Sequence, residues 1–202
     1  MAVVSTVMRA GAAKPNPFTV CIVANPALDA PWNSGAVIAD PIIGQMAVFQ
    51  AAVAYIDSAL FGRLLGEQEA LLADPGIMPF IRVVSLYDDG VAPSLATALV
   101  AQDGSSNLLV ARRSVFVAFL ANYGIEADVV YAVSASASHN RASAWFTTDD
   151  DAGGGVPFSL DGNPLFHRFN CLIPGTVGIH ATADSLTALH EFGHAISSYS
   201  NV

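Results

Sequence analysis

FTVCIVA, residues Phe18–Ala24, is an uninterrupted run of apolar and β-branched residues. Runs without alternating polar residues are typical of strands that are buried on both faces of a sheet. Two comparable runs follow, FIRVVSLY at Phe80–Tyr87 and DVVYAVSAS at Asp128–Ser136. The sequence therefore predicts three strands that lie inside the protein.

The segments between these runs have the spacing of helices. Asp40 and Pro41 have the residue types of a helix N-cap and first helical residue, and the apolar residues after them keep a helical period as far as Gly66, with a short continuation through Leu72. Arg112–Tyr123 is a second predicted helix, ended by a glycine. Strands therefore alternate with helices, which indicates helices packed on a sheet.

The second half of the chain predicts shorter elements. Ser94–Val110 fits either a helix or a hairpin with a turn at its Asp-Gly pair. Three β-rich segments between turn residues predict antiparallel strands: Ala142–Thr148, Gly155–Leu160 and Leu165–Ile173. The predicted fold is α/β (α+β), a mixed sheet with packed helices, with a loose segment over residues 1–17 and one domain over residues 18–202.

The composition excludes several classes of protein. Hydrophobic residues make up 53% of the 202 residues and charged residues only 12%, the reverse of the bias of disordered chains. Eight basic residues against 17 acidic ones give a net charge of −9, which argues against a nucleic-acid partner. No run reaches the roughly 18 apolar residues of a transmembrane helix, so we expect a soluble protein with no transmembrane segment.

The compartment is open at this stage. Cys21 and Cys171 each lie in an apolar, strand-like run, which favours buried free thiols over a long-range disulfide. Residues 1–14 lack the basic and then apolar pattern of a signal peptide. Secretion with the leader absent from this chain remains one alternative.

The last predicted helix, from about Thr182, contains the motif HEFGH at His190–His194. Histidines four residues apart lie on one face of a helix, one turn apart, so both imidazoles can bind one metal ion. Glu191 projects beside them, where its carboxylate can take a proton from a metal-bound water. The motif predicts a zinc site with His190 and His194 as ligands; two ordinary histidines on an amphipathic core helix are the alternative interpretation.

The rest of this helix is amphipathic. Thr182 or Asp184 can cap its N-terminus. A glycine inside a helix costs up to about 1 kcal/mol relative to alanine, so Gly193 predicts the close approach of another backbone. We expect one stripe to pack inward, formed by Leu186, Leu189, Gly193 and Ile196.

The motif helix after an α/β sheet resembles the zincin metallopeptidases. The motif sequence HEFGH and the order of secondary-structure elements are similar to those of the immunoglobulin-A metallopeptidase-like branch of that group. The motif match covers the last helix alone, and the order of elements matches loosely from Phe18 to Val202. The resemblance implies that His190 and His194 bind zinc, that Glu191 is the general base of peptide hydrolysis, and that a lower subdomain supplies a third zinc ligand.

The motif provides two of the three protein ligands that a catalytic zinc ordinarily has. Ser197 and Ser200 stand where a metzincin has glycine and histidine, and no acidic residue follows Glu191 as far as Val202. We favour a chain that is the N-terminal part of a longer catalytic domain, without its C-terminal subdomain. A vestigial site is a second explanation, and completion by an upstream histidine is the third: His180, His167 or His139.

These observations lead to a zinc-dependent metallopeptidase that acts on a peptide or protein substrate. Ala142–Thr148 or Leu165–Ile173 would offer the strand beside which an extended substrate lies. The incomplete ligand set motivates the alternative, a non-catalytic zincin-like binding module. A structural domain with buried histidines is a third interpretation.

Overall fold

A computed structural model describes residues 3–12, 17–64, 68–69, 71–145 and 174–196. These residues form a mixed α/β (α+β) fold with a six-stranded sheet, a four-stranded sheet, a two-stranded hairpin and three α-helices. The strands are β1 (Val3–Ala10), β2 (Phe18–Ala24), β3 (Ala27–Asp29), β4 (Val37–Ala39), β5 (Arg63–Leu64), β6 (Gln68–Glu69), β7 (Ile81–Asp88), β8 (Val100–Gln102), β9 (Leu109–Ala111), β10 (Val129–Ser134), β11 (Ser143–Trp145) and β12 (Gly175–His180). The helices are α1 (Met46–Phe61), α2 (Arg113–Ala121) and α3 (Ser185–Ile196).

The large sheet has the strand order β1-β7-β2-β10-β12-β11. Its four inner strands are parallel to one another, and β1 and β11 run antiparallel along the two edges. The predicted strand FTVCIVA is β2, and all seven of its residues are buried between β7 and β10. The interpretation of this run as a strand buried on both faces is confirmed.

Alternate residues of the inner strands supply two separate cores. Ile22 and Tyr131 belong to the core under α1 and α3, whereas Cys21 and Leu86 belong to the core under α2 and the four-stranded sheet. Cys21 is a buried free thiol, as predicted, and burial raises its pKa to about 12. Cys171 lies outside the described residues.

Several predicted elements are confirmed. The runs at 80–87 and 128–136 are β7 and β10, and the helix predicted at 112–123 is α2. The ambiguous segment 94–110 contains the hairpin of β8 and β9. β11 lies within the predicted strand 142–148, while the strands predicted at 155–160 and 165–173 lie outside the described residues.

The predicted start of the first helix at Asp40 and Pro41 is wrong. Helix α1 begins at Met46 and ends at Phe61, and the β5–β6 hairpin follows where a continuation of the helix was expected. Asp40 is instead 1% exposed, and its carboxylate accepts hydrogen bonds from the Ile42 and Ala135 amides and from the side chain of Asn25. Asp40 therefore joins the ends of β2 and β10 rather than capping a helix.

The expectation of a loose segment over residues 1–17 is wrong for Val3–Ala10. These residues form β1, which pairs with β7 from Val3 opposite Asp88 to Ala10 opposite Arg82. The strand is mostly exposed, so backbone pairing rather than burial holds it in place. Strand β12 was not predicted either, and it lies next to β10 inside the sheet.

None of the helices in the described part of the chain has both the length and the apolarity that a membrane crossing needs.

Candidate metal centre

Helix α3 carries all three residues of the predicted site. Its N-terminus is capped by Asp184, whose carboxylate accepts a hydrogen bond of 2.7 Å from the Thr187 amide, as one of the two predicted caps. The helix ends at Ile196 in the described residues, so His190 lies at its middle and Glu191 and His194 lie in its second half.

The helix turns a different side to the sheet from the one predicted. Its buried residues are Ala188, Glu191, Phe192 and Ala195. Leu186 is 48% exposed, and Leu189 and Ile196 pack only at the margin of the core. The predicted inward stripe is therefore wrong, because small alanine side chains let the helix come closer to the sheet than a leucine face would.

Two contacts fix how α3 lies on β10 and β12. The hydroxyl of the fully buried Tyr131 on β10 donates a hydrogen bond of 2.8 Å to the carbonyl oxygen of Ala188. On β12, a Cβ atom at Gly175 would overlap the carbonyl oxygen of Ala195. One end of the contact is thus held by a hydrogen bond, and the other requires a residue without a side chain.

His190 and His194 bring their Nε2 atoms to within 3.0 Å of each other. Two nitrogens bound tetrahedrally to one zinc ion at about 2.0–2.1 Å each lie about 3.4 Å apart, so the two rings need to separate by only a few tenths of an ångström to share a metal ion. His190 is exposed and His194 is half-buried, so an ion can reach the pair from solvent. The nitrogens lie within hydrogen-bond distance, and the proton between them would leave if both bound a metal.

Glu191 lies on the inner side of the same turn. It is 8% exposed, and burial raises the pKa of its carboxyl above the ordinary value, while the charged forms of His190 and His194 oppose that shift. A carboxylate whose pKa is raised is a better proton acceptor near neutral pH. Glu191 is therefore a buried carboxyl within electrostatic range of both imidazoles.

Two of the three upstream histidines, His180 and His139, have hydrogen-bond partners away from the His190–His194 pair. Both ring nitrogens of His180 have partners, Thr182 Oγ1 at 2.8 Å and the Ser136 carbonyl oxygen at 3.2 Å. His139 is likewise engaged by Ser138 Oγ and the Asp103 carbonyl oxygen. Among the described residues no three metal-binding side chains come together, and His167 lies outside them.

The edge strand β11 lies beside this site. Among the described residues it is the outermost strand next to β12, and it also contacts α3. The Ser143 hydroxyl donates to the Leu109 carbonyl oxygen at 2.6 Å, and Trp145 packs against the core under α2. These contacts anchor β11 from the side of the second sheet.

From the sequence, the histidine pair and Glu191 were proposed as site residues, but Tyr131 was not singled out. Nothing in the run VVYAVS distinguishes a tyrosine that fills space from one whose hydroxyl holds a helix. Burial raises the pKa of this hydroxyl well above its ordinary value, so it stays protonated and remains a donor to Ala188.

No protein-family model matches the chain, and a search of curated proteins returns no significant match.

The two glycines near the site should respond oppositely to alanine. Gly175→Ala forces a Cβ against Ala195, and we expect the free energy of unfolding to fall by about 1–3 kcal/mol, as overpacking does. At Gly193 an added Cβ meets no described atom within 4 Å, contrary to the predicted close backbone approach. Gly193→Ala should therefore raise the free energy of unfolding by about 0.5–1 kcal/mol through helix propensity. Urea unfolding of both variants tests this, and equal effects of the same sign would contradict the described packing of α3.

The purified chain should bind zinc through the pair. His190→Ala and His194→Ala each remove one ligand, so we expect each to weaken zinc affinity by more than the roughly 10–100-fold that loss of a supporting group costs. His139→Ala is the matched control, because both of its ring nitrogens are engaged elsewhere.

Competitive zinc titration, with circular dichroism to verify folding, measures these affinities. Equal affinities for His194→Ala and His139→Ala would contradict the assignment of the pair. The same titration of His167→Ala shows whether that histidine contributes a third ligand.

Proposed function

We propose that this chain carries the zinc-binding helix of a metallopeptidase. The observation that supports the proposal is the 3.0 Å separation of His190 Nε2 and His194 Nε2 on a helix whose intervening residues include a buried glutamate. A histidine pair with one-turn spacing suits zinc, and the adjacent Glu191 suits proton transfer.

Each residue has a defined role in this proposal. His190 and His194 would hold the zinc ion, which supplies a Lewis acid for the scissile carbonyl and lowers the pKa of water. Glu191 would accept a proton from the attacking water and deliver it to the nitrogen of the departing amine as the peptide bond breaks. Tyr131 would act only by holding the backbone of the helix one turn before Glu191.

The substrate would lie along β11. Within the described part of the chain this strand is the edge of the large sheet next to α3, so its outer backbone groups can pair with an extended peptide. The sequence-based proposal of a substrate strand within 142–148 is thus compatible with the position of Ser143–Trp145. Leu165–Ile173, the other strand named for this role, lies outside the described residues.

A non-catalytic metal-binding module is the second candidate. The observation in its favour is that the described residues bring only two metal ligands together. In this case zinc would bind without turnover. No other part of the protein would supply a third protein ligand.

Glu191→Gln separates the two functions. Glutamine keeps the size of the side chain but cannot accept the proton, so we expect zinc affinity to be retained and peptide cleavage to fall by about 10²–10⁴-fold. Glu126→Gln, at an exposed glutamate, is the control for loss of one negative charge.

Cleavage of a denatured protein substrate by the zinc-loaded chain, followed by mass spectrometry, is the measurement. Equal rates for Glu191→Gln and wild type would rule out Glu191 as the base. Tight zinc binding without cleavage, both by the wild-type chain and by a longer chain that extends past Val202, would favour the binding module.

A further inference from the structure

β1 is an edge strand of the large sheet, and no described strand pairs with its outer side. Seven of its eight residues pair with β7 on the other side. Val3 is 59% exposed and Val7 is 53% exposed. They lie on the same face because their positions differ by an even number. The outer edge therefore combines backbone hydrogen-bonding groups that no described strand pairs with and exposed apolar side chains.

The usual protections of an edge strand are confined to one end of β1. The register shifts between Val7 and Arg9, which marks a bulge, and Arg9 is the first charged residue of the strand. Its guanidinium is held by the Asp57 carboxylate at 2.8 and 2.9 Å and lies 3.9 Å from the centre of the Phe61 ring. Val3–Val7 has neither a charge nor a proline, so nothing in this part opposes pairing with another strand.

The other face of β1 is also incompletely packed. A groove of about 190 Å³ lies between the strand and α1, lined by Val4, Thr6 and Met8 on one side and by Phe49 and Val53 on the other. Side chains from a strand added beside β1 would lie over the open side of this groove. Both faces of the strand therefore have apolar surface that an additional strand would cover.

We propose that β1 pairs antiparallel with β1 of a second copy of this chain, across a two-fold axis at Ser5. The axis is perpendicular to the sheet, so each face of one sheet continues as the same face of the other, and paired residues differ by an even number of positions. Ser5 then faces Ser5, Val3 faces Val7, and Val4 faces Thr6 of the second copy. The two most exposed valines of the strand thus cover each other.

A copy of the same strand can occupy this edge in spite of the net charge of the chain. The chain has a net charge of −9, so two copies repel each other across most contacts. Val3–Val7 is a neutral strip where the copies can approach without placing acidic residues opposite each other. The same strip is self-complementary in the register above, which a closed two-fold contact requires.

The size of the contact predicts a weak dimer. Five paired residues span about 17 Å of strand, at about 3.4 Å per residue. Such a contact is smaller than the roughly 800 Å² per partner of a stable interface, so association should depend on concentration. We expect the chain to change from monomer to dimer between about 1 µM and about 1 mM.

Introducing a charge at Ser5 tests the position of the two-fold axis. Ser5→Lys and Ser5→Glu each place two like charges directly opposite each other, and each should weaken the homodimer by about fivefold or more. An equimolar mixture of the two variants pairs lysine with glutamate and should recover at least the wild-type affinity. Val117→Lys is the matched control, because it adds the same charge at a 45% exposed position on α2.

Sedimentation equilibrium of the full chain over this concentration range is the measurement, with thermal unfolding to verify that each variant is folded. A wild-type chain that stays monomeric to 1 mM, at the top of the expected range, would overturn the proposal. So would equal dimer affinities for Ser5→Lys and Val117→Lys, or a failure of the mixture to recover dimer. The two-fold pairing at Ser5 is supported when the mixture of Ser5→Lys and Ser5→Glu dimerises more strongly than either variant by itself.

Discussion

The position of α3 on the large sheet is the constraint on which the candidate site depends. At one end the buried Tyr131 hydroxyl holds the Ala188 carbonyl oxygen, and at the other the backbone of Ala195 lies where a side chain at Gly175 would be. A hydrogen bond fixes a direction and a backbone contact fixes a distance. Together they set the rotation of the helix about its own axis.

That rotation divides the motif between two environments. Glu191 turns inward with Ala188 and Phe192, while His190 stays exposed and His194 half-buried. The imidazoles therefore meet at a solvent-accessible rim, whereas the side chain of Glu191 is buried. In the proposed function, the ligand pair must be reachable from solvent, and burial raises the basicity of the Glu191 carboxylate.

The sequence predicted what local pattern determines. β2, β7 and β10 are long apolar runs, and the histidine pair follows from residue spacing alone. β1 was missed because its valines are exposed and backbone pairing holds it, so burial leaves no pattern. β12 was missed because Gly175 and Gly178 weaken the strand signal, although their small size is what admits Ala195 and Leu109. The prediction of which side of α3 faces the sheet was wrong, because leucines predict burial unless tertiary contacts favour small residues.

X-ray absorption at the zinc edge tests the central claim most directly, that His190 and His194 share one metal ion. For the zinc-loaded chain we predict the scattering pattern of two imidazoles, with zinc–nitrogen distances of about 2.0–2.1 Å. Replacement of His194 by alanine should remove one imidazole from that pattern. A sulfur shell at about 2.3 Å, or oxygen scattering without imidazole, would show that the pair does not hold the metal.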